Sequence, residues 1–137
     1  MRELKRAIGP YQQALDLEKQ DPKLSKTFWR VLVDNLGMAY GITGDLDNAQ
    51  SVFEYGLSVD PTYPLFHYNL ACTWAERDDM GKAMDYLEKA FSFKNNVIPG
   101  EKMPDPRKDD SFKRFMKNKK FREFAARLIK NYHLHLL

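Results

Sequence analysis

A chain of 137 residues with 43% hydrophobic and 30% charged residues has the size and balance of one globular domain with a core of its own. No apolar run comes near the ~20 residues a membrane-crossing helix needs, and the start, MRELKRAIGPYQQAL, lacks the apolar stretch of a secretory leader. The net charge of +3 is unevenly spread: residues 1–100 hold 11 Lys/Arg against 14 Asp/Glu, residues 101–137 hold 11 against 5, so an acidic-to-neutral body is joined to a basic tail.

In chain order, Ala7, Tyr11 and Ala14 share the spacing that Ala49, Phe53 and Gly56 show later. Because Gly9-Pro10 weakens its start, a helix is expected over 10–20. The stretch DPKLSKTFW precedes the next periodic segment and predicts an extended helix over 22–43, with Val33, Leu36, Gly37 and Tyr40 on one face. Gly44 is a natural helix stop and Asp45 a cap for the helix that follows. That helix carries Ala49, Val52, Phe53, Gly56 and Leu57 on one face and ends at DPTYP. Pro61 cannot continue it, and Pro64 suits the first turn of the next. There His67, Leu70, Ala71 and Trp74 form a face, Asp78-Asp79 a turn, and Ala83, Leu87, Ala90 and Phe91 the face of another helix. Pro99, Gly100, Pro104 and Pro106 mark a loop over 97–109. Asp109-Asp110 then caps a short helix bearing Phe112, Phe115 and Met116. A last helix carries Phe121, Phe124, Ala125, Leu128 and Tyr132 in register.

Two stretches, DNLGMAYGITGDLDNA from Asp34 and YNLACTWAERDDMGKA from Tyr68, align at a spacing of 34 residues. Asn35 meets Asn69, Leu36 meets Leu70, Asp45 meets Asp79, Ala49 meets Ala83 and Ser58 meets Ser92. Gly37 with Ala71, Tyr40 with Trp74, Phe53 with Leu87 and Gly56 with Ala90 keep size. Small residues at Gly37, Ala49, Ala71 and Ala83 let antiparallel helices approach closely. Tyr40, Trp74, Phe53 and Leu87 are expected to fill the space between hairpins.

This pattern resembles the tetratricopeptide repeat family, whose period is about 34 residues. Its signature falls on Val33, Leu36, Gly37, Tyr40, Ala49, Phe53, Gly56 and Pro61, and again on His67, Leu70, Ala71, Trp74, Ala83, Leu87 and Ala90. The usual opening Trp is absent from both units, and Asn95 stands in the closing Pro slot. The resemblance implies an all-α fold, a right-handed superhelix of helical hairpins: a half-repeat over 1–21, repeats over 30–63 (with the first helix extended back to 22) and 64–96, the loop 97–109, and a helical cap over 110–137. It also implies a protein partner that lays a peptide or a hydrophobic helix or strand in a concave groove lined by Val31, Asp34, Asn35, Met38, Ile42, Leu65, Tyr68, Asn69, Cys72 and Glu76. Asn35 and Asn69 could hold a peptide backbone there. Members that bind a C-terminal carboxylate use Lys, Asn and Arg on this face; the matching Val31, Asp34, Leu65 and Tyr68 argue against that subtype.

The search for chemistry turns up no phosphate loop, nucleophile elbow or zinc spacing. His133 and His135, two apart, do not face one another on a helix; His67 falls at a core position. Gly37 and Gly41 read as close packing. The lone Cys72 reads as a buried thiol and fits a reducing, cytoplasmic setting, or a secreted or periplasmic one if the chain is cut from a longer precursor. No catalysis, metal, cofactor or membrane role is expected. Two further readings stand beside protein binding. The half-repeat would leave an apolar face that pairs with a second copy through Tyr11 and Leu15, or with more of a longer array. The run FKRFMKNKKFREFAARLIK could grip a nucleic acid or another polyanion, though its Phe spacing reads as core with a solvated basic face.

Overall fold

The computed structural model describes residues 2–136 and the side chains of residues 2–133. The side chain of His135, half of the His133–His135 pair, lies outside those described. Among the described residues there is no strand. The helices are α1 Arg2–Gln20, α2 Lys26–Ile42, α3 Leu46–Val59, α4 Pro64–Glu76, α5 Met80–Ser92 and α6 Lys119–Leu136, with a 3-10 helix, Asp110–Lys117, before α6. Each of α1 to α5 packs on the next, α2 also touches α4, and the 3-10 helix packs on α4 and α6.

The first helix begins earlier than its sequence suggests. Pro10 lacks the N–H that would bond back along the helix, yet α1 runs through it. Gly9 and Pro10 face solvent, and the opposite side holds the helix in place. Its inward register is Ile8, Tyr11, Leu15 and Glu18 rather than Ala7, Tyr11 and Ala14; Leu15 is 1% exposed and Ala14 is exposed. The outward side carries Glu3, Lys5, Arg6, Gln13, Asp16 and Lys19, with Leu17 among them. The apolar face expected to meet a second copy is thus turned inward, against the first hairpin.

The second helix starts four residues later than expected, at Lys26. The Glu18 carboxylate accepts the N–H groups of Lys23 and Leu24 (2.8 and 2.9 Å), which fixes residues 21–24 as a turn. Ser25 then caps α2 by accepting the Phe28 N–H.

Both hairpins close with the same turn. Asp45 N–H reaches the Tyr40 carbonyl and Asp79 N–H the Trp74 carbonyl, each across a left-handed residue: Gly44 (φ +92°) and Asp78 (φ +63°). Asp tolerates that conformation better than most residues with a Cβ. Asp45 and Asp79 cap α3 and α5 by accepting the N–H groups of Asn48 and Lys82.

Ala49, Ala71 and Ala83 are fully buried, as small contact residues require. Their partners differ in one respect from expectation. A Cβ on Gly41 would lie 3.8 Å from that of Ala49, whereas one on Gly37 would collide with the Phe53 ring at 2.4 Å. In an antiparallel pair, four residues back on α2 meets four residues onward on α3, so Phe53 packs against α2 of its own hairpin and also borders the space toward α4. The inter-hairpin space is filled by Phe66, whose ring lies 2.9 Å from where a Cβ on Gly56 would be, and by edge-on contacts of Trp29 and Tyr63 with Phe66 (centroids 5.6 and 4.8 Å). Tyr40 donates to Gln12 of α1. His67 is buried as expected: its Nε2–H donates to the Pro61 carbonyl and its ring stacks on Phe93. Burial lowers its pKa and so favours the neutral ring.

The basic tail forms a second core against α4 and α5. Phe112, Phe115, Phe121, Leu128 and Tyr132 are buried in it, while Lys113, Arg114, Lys117, Lys119, Lys120 and Arg122 face solvent. The buried rings offer no platform on which bases could stack.

Candidate functional site

Four of the ten groove residues lie on the open side of α2. Val31, Asn35, Met38 and Ile42 are all exposed, and Phe28 one step earlier is 66% exposed. Their spacing of 3, 4, 3 and 4 residues keeps them in one stripe along the helix. Extending the stripe back by one turn would have found Phe28 in the sequence.

The α4 wall is different. Leu65 and Asn69 are half-buried, Tyr68 is 2% exposed, and only Glu76 is freely exposed. The chain itself covers this wall. Tyr63 OH donates to Glu101 (2.8 Å), and Tyr68 OH donates to Asp109 (2.9 Å). The Cys72 thiol also points at Asp109 (3.8 Å). Burial first, and Asp109 second, push the Cys72 thiol well up; burial likewise raises both tyrosine hydroxyls. Residues 97–109 therefore form a strap bound along α4, anchored by Met103 in the second core.

Between the two walls lies a cleft of about 460 Å³. Gly37, Met38, Gly41 and Ile42 line it from α2, Asn69, Cys72, Thr73 and Glu76 from α4, and Asp109 and Ser111 close one side.

Asp34 and Asn69 meet beneath this cleft. Asn69 Nδ2 donates to Asp34 Oδ1 (2.5 Å), so the Asn69 amide is engaged inside the protein, whereas the Asn35 side chain faces solvent. Burial raises the Asp34 carboxyl to about 7, with Glu101 adding to the rise and Asn69 opposing it. Because the folded value exceeds the unfolded one, the Asp34 contribution to stability is complete below about pH 4 and is lost as the pH rises through about 7. Asp34→Asn keeps an acceptor for Asn69 and removes the ionisation. The variant is expected to melt with little pH dependence between pH 5 and 8, and to exceed the parent by about 2 kcal/mol at pH 8. Denaturant melts across that range check it; a parent stability that climbs from pH 5 to 8 would contradict it.

A second buried carboxylate, Asp60, has a different fate. Burial alone would raise it, but the Arg30 guanidinium, 2.6 Å away, outweighs burial and holds it below its ordinary value. Arg30 also lies over the Tyr63 ring (4.6 Å) and so ties α2 to the start of α4. Among the described residues, no three His, Cys, Asp or Glu side chains are grouped to hold a metal ion, and no helix is long and apolar enough to cross a membrane.

Residues 33–63, most of α2 and all of α3, match the tetratricopeptide repeat family model. No curated protein and no solved structure matches the chain. Repeats of this family generally mediate protein–protein interactions and are typically non-catalytic. With α2 and α3 matched to the family model over residues 33–63 and α4 and α5 repeating their turns, caps and small contact residues 34 positions on, the structure fits a tetratricopeptide-type helical repeat.

Proposed function

We propose that this chain is a non-catalytic protein-interaction module that receives a partner segment on the open face of α2 and in the cleft beside α4. The observation that carries this reading is the stripe of Phe28, Val31, Met38 and Ile42, between 39% and 66% exposed on a helix whose other sides are packed. Contiguous exposed apolar side chains of this kind mark interaction surfaces. Asn35 and Glu76 supply polar contacts at the edge of the seat. Asp34, Leu65, Tyr68, Asn69 and Cys72 shape it from behind.

The test is a double substitution on the open face, Met38→Ser with Ile42→Ser. Exposed positions of this type change stability by about 0.5 kcal/mol each, so the variant keeps its circular dichroism and melt. Proteins cross-linked to the parent are expected to be lost from the variant. An identical set captured by both would end the reading. Tyr68→Ala is not a clean probe, because it removes a buried ring and the Asp109 anchor together.

A further inference from the structure

We infer that the occupant of this groove is an amphipathic α-helix whose apolar edge is flanked by Lys or Arg. The inference rests on the proposed role of the groove and adds the chemistry of the partner.

The shape of the seat favours a helix. Phe28, Val31, Asn35, Met38 and Ile42 recur at the 3- and 4-residue steps with which one helix meets another. At 1.5 Å per residue the stripe is about 21 Å long, or about four turns. An extended peptide would bring backbone N–H and C=O groups that need partners on the groove walls. The α4 wall has little to give, since the Asn69 amide is engaged by Asp34 and the Tyr68 hydroxyl and Cys72 thiol are directed at Asp109; on α2 the stripe offers the single amide of Asn35. A helix satisfies its own backbone and asks only for apolar contact.

The charge of the seat favours a cationic one. From Val31 to Glu76 the chain contains no Lys or Arg, while it carries Asp34, Asp45, Asp47, Glu54, Asp60 and Glu76. Asp60 and Asp47 are paired with Arg30 and Arg77, each at 2.6 Å, and Asp34 is buried against Asn69, so none of these three adds free charge to the seat. The charged residues lining the cleft are Glu76 and Asp109. Asp109 accepts from Tyr68 OH and the Ser111 N–H, neither of them a cation. At the rim, Arg114 reaches Glu76 and Asp78 at 3.5 and 3.7 Å, with all three side chains well exposed. Such a pair is weak, so an arriving Lys or Arg can share Glu76.

Three synthetic peptides of about 18 residues test this, enough to span the stripe. One has a Leu face flanked by Lys, the second the same face flanked by Glu, and the third the residues of the first scrambled so that no face forms. In fluorescence anisotropy the Lys-flanked helix is expected to bind the full chain roughly ten-fold more tightly than the Glu-flanked one, and the scrambled peptide not at all. Its affinity should fall several-fold with Glu76→Gln, rise with Arg114→Gln and weaken with added salt. Equal or tighter binding of the Glu-flanked helix, lost in the Met38→Ser, Ile42→Ser variant, would overturn the charge argument and leave the groove standing. Binding of the Lys-flanked helix that this double variant does not weaken would overturn both. Failure of both helices to bind at millimolar concentration would overturn the helical occupant.

Discussion

Gly37→Leu is expected to leave the chain unfolded, and Gly37→Ala to lower its stability by about 1–3 kcal/mol. A Cβ at this position would lie 2.4 Å from both Cε1 and Cζ of Phe53 and 2.9 Å from Cδ1. Phe53 is 2% exposed and sits within the first core, bordering the cleft on one side, so its ring leaves Gly37 only by giving up its packed position. Either the ring moves off its rotamer or α2 and α3 separate, and each loses close contact along the hairpin. Helix propensity works the other way, since Ala gains about 1 kcal/mol over Gly in a helix interior. Overpacking outweighs it. Gly41, one turn along the same helix, is the internal control: its nearest contact would be an ordinary 3.8 Å from Ala49 Cβ, so Gly41→Ala is expected to be neutral or to stabilise by up to about 1 kcal/mol. Phe53→Leu should restore part of what Gly37→Ala loses, a positive coupling in the double-mutant cycle. Urea melts of the four proteins provide the numbers. A Gly37→Ala midpoint at or above the parent would mean that close approach at this glycine does not set the helix spacing.

That contrast shows what the sequence made legible. A period of 34 residues identifies positions that play the same part in successive units, and with them the hairpins, both turns and the small contact residues. It does not say which residues touch. Asn69 is the repeat-mate of Asn35, yet its hydrogen-bond partner is Asp34, because α4 lies beside α2 with its own offset. Phe53 is the repeat-mate of Leu87, but its place opposite Gly37 follows from the antiparallel run of α3. The strap was the least legible part of the candidate site. Glu101, Met103 and Asp109 sit in a Pro- and Gly-rich stretch with no helical or strand period, and an aperiodic segment gives no face from which to infer what it covers. The extent of α1 is hidden for a related reason: a proline's effect on a helix is local, while the packing of Ile8, Tyr11 and Leu15 decides where this one begins.

The strap makes the C-terminal region more than a lid on the last hairpin, and Phe112→Ala is expected to show it at a cost of about 3–5 kcal/mol. Phe112 is fully buried, meets Tyr68 edge-on and stacks on Phe121, with both pairs of ring centroids 5.9 Å apart. It therefore joins α4 to α6 at the point where the strap ends. Three residues before it, Asp109 holds the Tyr68 hydroxyl and the Cys72 thiol. A cavity at Phe112 loosens these anchors together, whereas α2 and α3 belong to the other core and share no ring with Phe112. Stacked repeats interact mainly with their neighbours, so the damage should be graded along the chain. Hydrogen exchange is expected to quicken most over 97–117 and α6, less over α4, and least over α2. Cys72 supplies an independent readout. In the parent Cys72 is half-buried in the cleft wall, its thiol directed at Asp109 and its ionisation suppressed by burial and that carboxylate, so it should react slowly with a soluble disulfide reagent. In the variant the strap lifts, the thiol loses Asp109 and gains exposure, and labelling should accelerate at least several-fold in conditions where α2 and α3 remain protected. A variant that lost several kcal/mol with uniform exchange across all helices would mean that the two cores unfold as one. A variant that melted like the parent, with Cys72 still slow to react, would mean that the strap is held without Phe112.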